Sequence, residues 1–501
     1  MTDQHPTDGK KPHSEHPDGQ GRHAERHVAD THIAERHDAD RHDADRHAPE
    51  KHHADRHHAE KHHEPKPADE ETAAVVSLDT AGGAMEPSAV PATAQSGKIP
   101  VGPETLVRRI FTGSGMVSVL AVLLALILGG LLIALTDKQV GTTTTYLLAR
   151  PTDFLSAVWN AATRSYVALF QGSVFNPRGA GIGGQLAPLL ETLTIATPLI
   201  TAGLGVALAF RAGLFNIGAQ GQIIMAGILA AWVGFALHLP LGLHLLLVLA
   251  AGIIGGAFWG GLVGYLKART GAHEVIVTIM FNYIALYLLR YLLNTPAFQR
   301  PGETNPISPI LDASAVYPQI FGTQYRLHLG FLLAIAATVF VWWLLNRSTV
   351  GFEFRAVGAN PKAAQTAGIN VSRSTILVMA IAGALAGLSG VAQVAGTEKV
   401  LTDGVAATYG FDAITVALLG RSTPWGTFAA GLLFGAFRAG AVQMQIQTGT
   451  PIDIVLVVQS LIVLFIAAPP LVRAVFGLNP RRRKQAPAGK SKAAATTGGA
   501  A

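Results

Sequence analysis

The chain has 501 residues, 49% hydrophobic and 14% charged, with a formal net charge of +6 and no cysteine. The lack of cysteine excludes disulfides, thiolate metal sites and thiol nucleophiles. Apolar residues crowd between 116 and 472 behind a polar first hundred, which is the distribution of a polytopic membrane protein.

Residues 1–100 hold no apolar core, so no signal peptide is expected, and Arg108 with Arg109 ahead of the first apolar stretch predicts a cytoplasmic N-terminus. Residues 26–65 repeat a pentad of basic residue, His, any residue, Ala and acidic residue, and fifteen of the 19 histidines lie in the first 65 positions. A five-residue period rotates the repeated His by about 140° per repeat, so no single helical stripe forms, and the apolar content is too low for a core. A disordered arm is expected over 1–104, with 66–104, rich in Pro, Ala, Gly and Ser, as linker. The sharper reading of the arm is weak metal buffering. His53 with His57, and His58 with His62, stand at i, i+4, which sets two imidazoles on one helical face. No other metal site and no cofactor is expected.

A bilayer core of ~30 Å takes ~20 apolar helical residues. Ten stretches meet or approach that length: 116–135, 186–210, 218–237, 241–266, 275–293, 327–345, 376–396, 405–420, 425–442 and 452–472. The expected fold is an all-α polytopic membrane protein with about ten transmembrane helices, the eighth short enough to be a re-entrant half-helix. It divides into the first span with an extracytoplasmic segment (105–185), the main transmembrane domain (186–472) and a basic tail (473–501). An even count places both termini in the cytoplasm. Arg211, Lys267, Arg269, Arg347, Arg355, Lys362, Arg373 and Arg421 then lie in inner loops, and the short outer loops hold only Lys399. Gly252, Gly256, Gly260 and Gly264 recur every four residues, and Gly383 with Gly387 and Gly431 with Gly435 repeat the spacing. Such stripes let backbones approach closely, within one subunit or, alternatively, at a dimer face.

Three polar stretches interrupt the apolar pattern. Residues 211–222, R-A-G-L-F-N-I-G-A-Q-G-Q, place Asn216, Gln220 and Gln222 among glycines at a span boundary. Amides there suit a neutral, hydroxyl-rich or heterocyclic solute, or else satisfy backbone groups freed by a helix–helix turn. Residues 273–285 begin with Glu274, a first-turn acid, and carry Asn282 two turns into the span, where an amide needs a partner or a wet cavity. Gln393 and Gln459 are weaker candidates of the same kind, and Glu191, Arg290 and Arg438 lie near span ends, where they can snorkel. The cytoplasmic loop 346–375 contains a short self-capped helix. Asn360 serves as N-cap, Pro361 as first helical residue, Lys362, Ala363, Ala364 and Ala367 as helix body, and Gly368 as the left-handed residue past its end. This helix is expected to present a small exposed docking surface.

No H-E-x-x-H or G-x-S-x-G motif is present, and Gly489-Lys490-Ser491 lacks the earlier Gly of a phosphate-cradling loop. The spans are nearly empty of Asp, Glu and Lys at their centres, which argues for a partner ATPase over an ion-driven carrier. The chain resembles the permease subunits of bacterial ABC importers for nucleosides and simple sugars, from about 186 to 472. The residues that carry the likeness are P-L-I-T-A-G-L-G-V-A-L-A-F-R-A-G-L-F-N-I-G-A-Q-G-Q, E-V-I-V-T-I-M-F-N-Y-I-A, G-F-E-F-R-A-V-G-A-N-P-K-A-A-Q-T-A-G-I and Y-G-F-D-A-I-T-V-A-L-L-G-R-S-T-P-W-G. The resemblance implies that residues 360–368 form a coupling helix seated in an ABC ATPase. It also implies a second, often non-identical permease subunit, an extracytoplasmic substrate-binding lipoprotein, and a small-molecule cargo, nucleoside before sugar, with no nucleic acid. Many relatives carry Glu where this chain has Gln220. A partner-independent channel or gradient-driven carrier is the alternative, and a His-rich metal-sensing scaffold is a third.

Overall fold

Asp137 stands just past the end of the first apolar stretch. α1 (Ser114–Thr136) is apolar throughout, and the Asp137 carboxylate accepts from the backbone N–H of Gln139 at 2.8 Å and of Val140 at 3.3 Å, starting α2 (Lys138–Thr144) at a 75° bend. A computed structural model of the chain describes residues 114–476; His53, His57, His58 and His62, and most of the basic tail, lie outside the described residues.

Each of the ten apolar stretches is helical, and no strand occurs among the described residues. Six helices are long and apolar enough to cross a membrane: α4 (Gly181–Arg211), α5 (Ala219–Ala236), α6 (Leu243–Thr270), α7 (Glu274–Leu293), α8 (Gly330–Arg347), and α11 (Val371–Val391) with the π-helical turns Ala392–Glu398 that extend it. The bent α1–α2 pair makes a seventh if it counts as one span. The remaining three stretches differ from the expected crossings in length or composition. α12 (Tyr409–Leu419) has 11 residues, about 17 Å of helix against the ~30 Å of a bilayer core. α13 (Pro424–Thr448) is long but more polar, and α14 (Ile452–Ala467) has 16 residues before α15 (Pro469–Val475).

The segment between the first two spans, expected only as extracytoplasmic chain, contains α3 (Pro151–Ser173), which opens on Pro151 and packs on α13 and α1. Its buried face is made of small residues, Ala157, Ala161, Ser165 and Ala168, at helical spacing. α4 is the central helix, with every residue from Ala196 to Ala209 buried. A helix apolar on all sides belongs in the middle of a bundle.

The glycine stripes pack within the chain. α6 lies along α11, and a side chain added at Gly256 would collide with the carbonyl of Gly383, one added at Gly383 with that of Gly256. Gly431 and Gly435 of α13 lie against Ile200 and Ala196 of α4 in the same way.

Candidate functional site

The polar loop between α8 and α11 holds two short helices, α9 (Thr349–Ala359) and α10 (Pro361–Thr366). The Asn360 side chain accepts from the N–H of Lys362 at 3.0 Å and of Ala363 at 3.1 Å. At the other end Gly368 has φ +87°, and the N–H groups of Gly368 and Ile369 return to the carbonyls of Gln365 and Ala364, each at 3.0 Å. This double closure defines a Schellman end, which the left-handed glycine makes possible. Lys362, Ala363, Gln365, Thr366 and Ala367 are exposed. Ala364, expected on the exposed docking surface, is 4% exposed and packs inward, because the six-residue helix lies with one face against its own support.

That support is α9, absent from the sequence expectation. Ser348 caps it, accepting from the Gly351 N–H at 2.9 Å, and its buried Phe354 and Val357 face the bundle. Phe354 joins an apolar cluster with Leu208, Ala212, Leu214 and Leu344. Gly358 rests on the backbone of Arg211 and Ala212 at the end of α4, and Gly213, with φ +73°, turns the chain beneath it. α10 is therefore mounted, through α9, on the end of the central helix, where the polar break 211–222 begins.

Within that break the amides bond to one another and to backbone. Asn216 and Gln222, both fully buried, exchange hydrogen bonds at 3.3 and 3.4 Å, and Asn216 also accepts from the Gly218 N–H at 2.9 Å. Asn282 of α7 accepts from the Gly221 N–H at 2.8 Å and donates to the Ile217 carbonyl at 3.0 Å. Gln220 points to the opposite side, donating to the Ala407 carbonyl at 2.7 Å and accepting from the Gly410 N–H at 2.9 Å, which holds the start of α12. These contacts satisfy backbone groups that a broken helix leaves without partners. Gln393 lies elsewhere, in the π-helical turns, and is 4% exposed.

Charged residues expected merely to snorkel are paired. Arg326 donates to Glu191 at 2.7 Å, Arg290 lies 3.9 Å from Asp403, and Arg438 pairs with Asp412. Glu274 does stand at the N-terminus of α7, and it also accepts from Lys267 at 2.6 Å. Asp412 was not singled out from the sequence; three positions past Tyr409, it reads as an ordinary first-turn acid. Beside Gly396 of the π-helical turns, His328 is buried, stacked on Tyr317, and its Nδ1 accepts from the Gly330 N–H at 3.1 Å. Burial and the nearby Arg326 charge push its pKa down to about 4.

The family model described as branched-chain amino acid transport system / permease component matches residues 189–467. The guanosine ABC transporter permease protein of Bacillus subtilis (strain 168) is 41% identical over 298 residues, 59% of this chain and 86% of the relative. The nucleoside ABC transporter permease protein of Lactococcus lactis subsp. cremoris (strain MG1363) is 36% identical over 301 residues, 58% and 82% of the two chains. The glucose ABC transporter permease protein of Haloferax volcanii is 34% identical over 287 residues, 56% and 75%. No solved structure matches. With more than half of its length inside the family model, the chain belongs to the branched-chain amino acid transport system / permease component family, as a permease subunit of the ABC importer type and not an enzyme.

Proposed function

We propose that this permease carries nucleosides across the cytoplasmic membrane, driven by a separate ABC ATPase that engages residues 360–368. The observation that carries the reading is the mounting of α10. A doubly capped helix with exposed Lys362, Ala363, Gln365 and Ala367 stands on α9, and α9 rests on the end of the central helix at Arg211–Gly213. A push on α10 reaches the polar break through packed backbone and no flexible linker. Asn216, Gln220, Gln222 and Asn282 then hold the break against α7 and α12, and Gln393, an amide buried away from that break, meets solute on the pathway.

The cargo comes from likeness to the guanosine and nucleoside permeases. A simple sugar is the second reading, supported by the glucose relative. A second permease subunit of a different sequence completes the pathway, and an extracytoplasmic lipoprotein delivers the solute. Both termini are assigned to the cytoplasm, a reading supported by the Arg and Lys of the expected inner loops.

The test is uptake of labelled uridine and adenosine by cells lacking the gene, complemented with wild type, Ala363→Asp or Gly368→Pro, with unlabelled ribose as competitor. Uptake with wild type that ribose leaves unchanged, and that both variants lose at normal membrane levels, is expected. Full uptake by both variants would overturn the coupling assignment, and ribose-sensitive sugar uptake without nucleoside uptake would move the cargo to a sugar.

A further inference from the structure

A second polar centre lies between α12, α13 and α14, apart from the break at 211–222. Arg438 of α13 pairs with Asp412 of α12, donates to Thr408 and stands 4.8 Å over the Tyr409 ring. The side chains of the pair are only 20% and 24% exposed. Thr408 donates to Asp412 at 2.9 Å. The Thr408 and Arg438 contacts both fall on Oδ2, and Oδ1 takes no hydrogen bond among the described residues. Across from it on α14, Gln459 is 5% exposed and its Nε2 has no partner.

These groups share a cavity of about 220 Å³, in which Thr408, Asp412 and Thr415 face Gln459 and Ser460, with Phe434 on the wall between. Leu456 and Ser460 are exposed, so the cavity opens at the surface of the subunit. An ion pair and a free amide beside such an opening call for water or a polar solute, because hydrocarbon satisfies none of these groups. The volume equals about seven waters at ~30 Å³ each, and it falls below the ~300 Å³ at which pockets enclose a whole drug-sized ligand. It therefore accepts one end of a nucleoside-sized molecule.

We infer that this cavity is a sugar-binding subsite of the permease, in which Asp412 Oδ1 and Gln459 Nε2 recognise the vicinal diol of a ribonucleoside. One hydroxyl donates to the free carboxylate oxygen and the other accepts from the free amide N–H, which uses the two groups left open in this cavity. Phe434 offers apolar contact to the ring. Arg438 and Thr408 are positioning residues: they occupy Oδ2 and leave Oδ1 to the solute. Gln220, bonded to Ala407 and Gly410, ties this wall to the break beneath the docking helix, so movement there alters the subsite. The inference rests on the nucleoside reading above.

The experiment compares uptake of labelled guanosine and labelled 2′,3′-dideoxyguanosine by cells lacking the gene and complemented with wild type, Gln459→Leu or Asp412→Asn, each at matched membrane level. The delivery protein is the same in every strain, so a change in the ratio of the two uptakes arises in the permease. Wild type is expected to favour guanosine, and Gln459→Leu, which leaves the ion pair intact, to lower that preference on the order of tenfold by loss of guanosine transport. An unchanged ratio in Gln459→Leu overturns the subsite even if Asp412→Asn fails to reach the membrane. Wild type taking up neither solute overturns the nucleoside reading itself, whereas uptake without discrimination overturns only the subsite.

Discussion

The crossing of α6 and α11 yields a stability prediction that separates two neighbouring glycines. A Cβ at Gly256 would collide with the Gly383 carbonyl and stand 2.9 Å from Gly387 Cα and 3.0 Å from its N. All three are backbone atoms, so no side-chain rotation relieves the contact and the helices must part. Overpacking of this kind costs about 1–3 kcal/mol. Parting the helices also loosens the close approaches at Gly252 and Gly260, and Cα–H···O contacts of that type are worth about 0.5–1 kcal/mol each. Ala gains about 1 kcal/mol over Gly in a helix interior, so Gly256→Ala should lose about 1–4 kcal/mol net. At Gly261 an added Cβ meets the Ala380 Cβ at 3.4 Å, an ordinary contact. Gly261→Ala should therefore be neutral or gain up to about 1 kcal/mol. Reversible unfolding in mixed micelles with rising SDS, followed by tryptophan fluorescence, measures both, and Trp259 lies buried near the crossing. Equal midpoints for the two variants would refute the backbone-contact reasoning.

Asn282→Leu strands the Gly221 N–H and the Ile217 carbonyl, each at a cost of about 1–3 kcal/mol when buried. The purified variant should melt earlier and transport poorly; a wild-type melting curve would show that the break does not depend on this amide. The His328 pKa of about 4 lies below its ordinary 6.5, so the unfolded chain takes up the proton first. The stability held by the neutral ring is complete above pH 6.5 and is lost as pH falls toward 4, by about 3 kcal/mol in total at 1.36 kcal/mol per unit. His328→Gln should flatten the fall in thermal stability between pH 7 and pH 5, and an unchanged slope would remove His328 as its source.

Features written in consecutive residues were legible without coordinates. The cap of α10 is one, since Asn360, Pro361 and Gly368 act on backbone within a few positions of themselves. The apolar spans are another, because membrane insertion reads local hydropathy. α9 is not legible in the sequence because its buried face is only Gly351, Phe354 and Val357, too few for a clear period. α3 is hidden for a related reason: its contact face is alanine and serine, which carry little hydropathy signal although they allow close packing.

The sequence by itself determined an all-helical membrane protein with a capped polar helix between two spans, because span hydropathy and helix capping are local energies. Tertiary structure alone decided which groups meet. It set the Gly252–Gly264 stripe against Gly383 and Gly387 of the same chain, and it turned Ala364 inward. It satisfied Asn216, Gln222 and Asn282 within the break, and it joined Asp412 to Arg438, 26 residues away on another helix. Each of these depends on helix-to-helix distances of a few ångströms, which chain spacing does not encode and which only the packed bundle fixes.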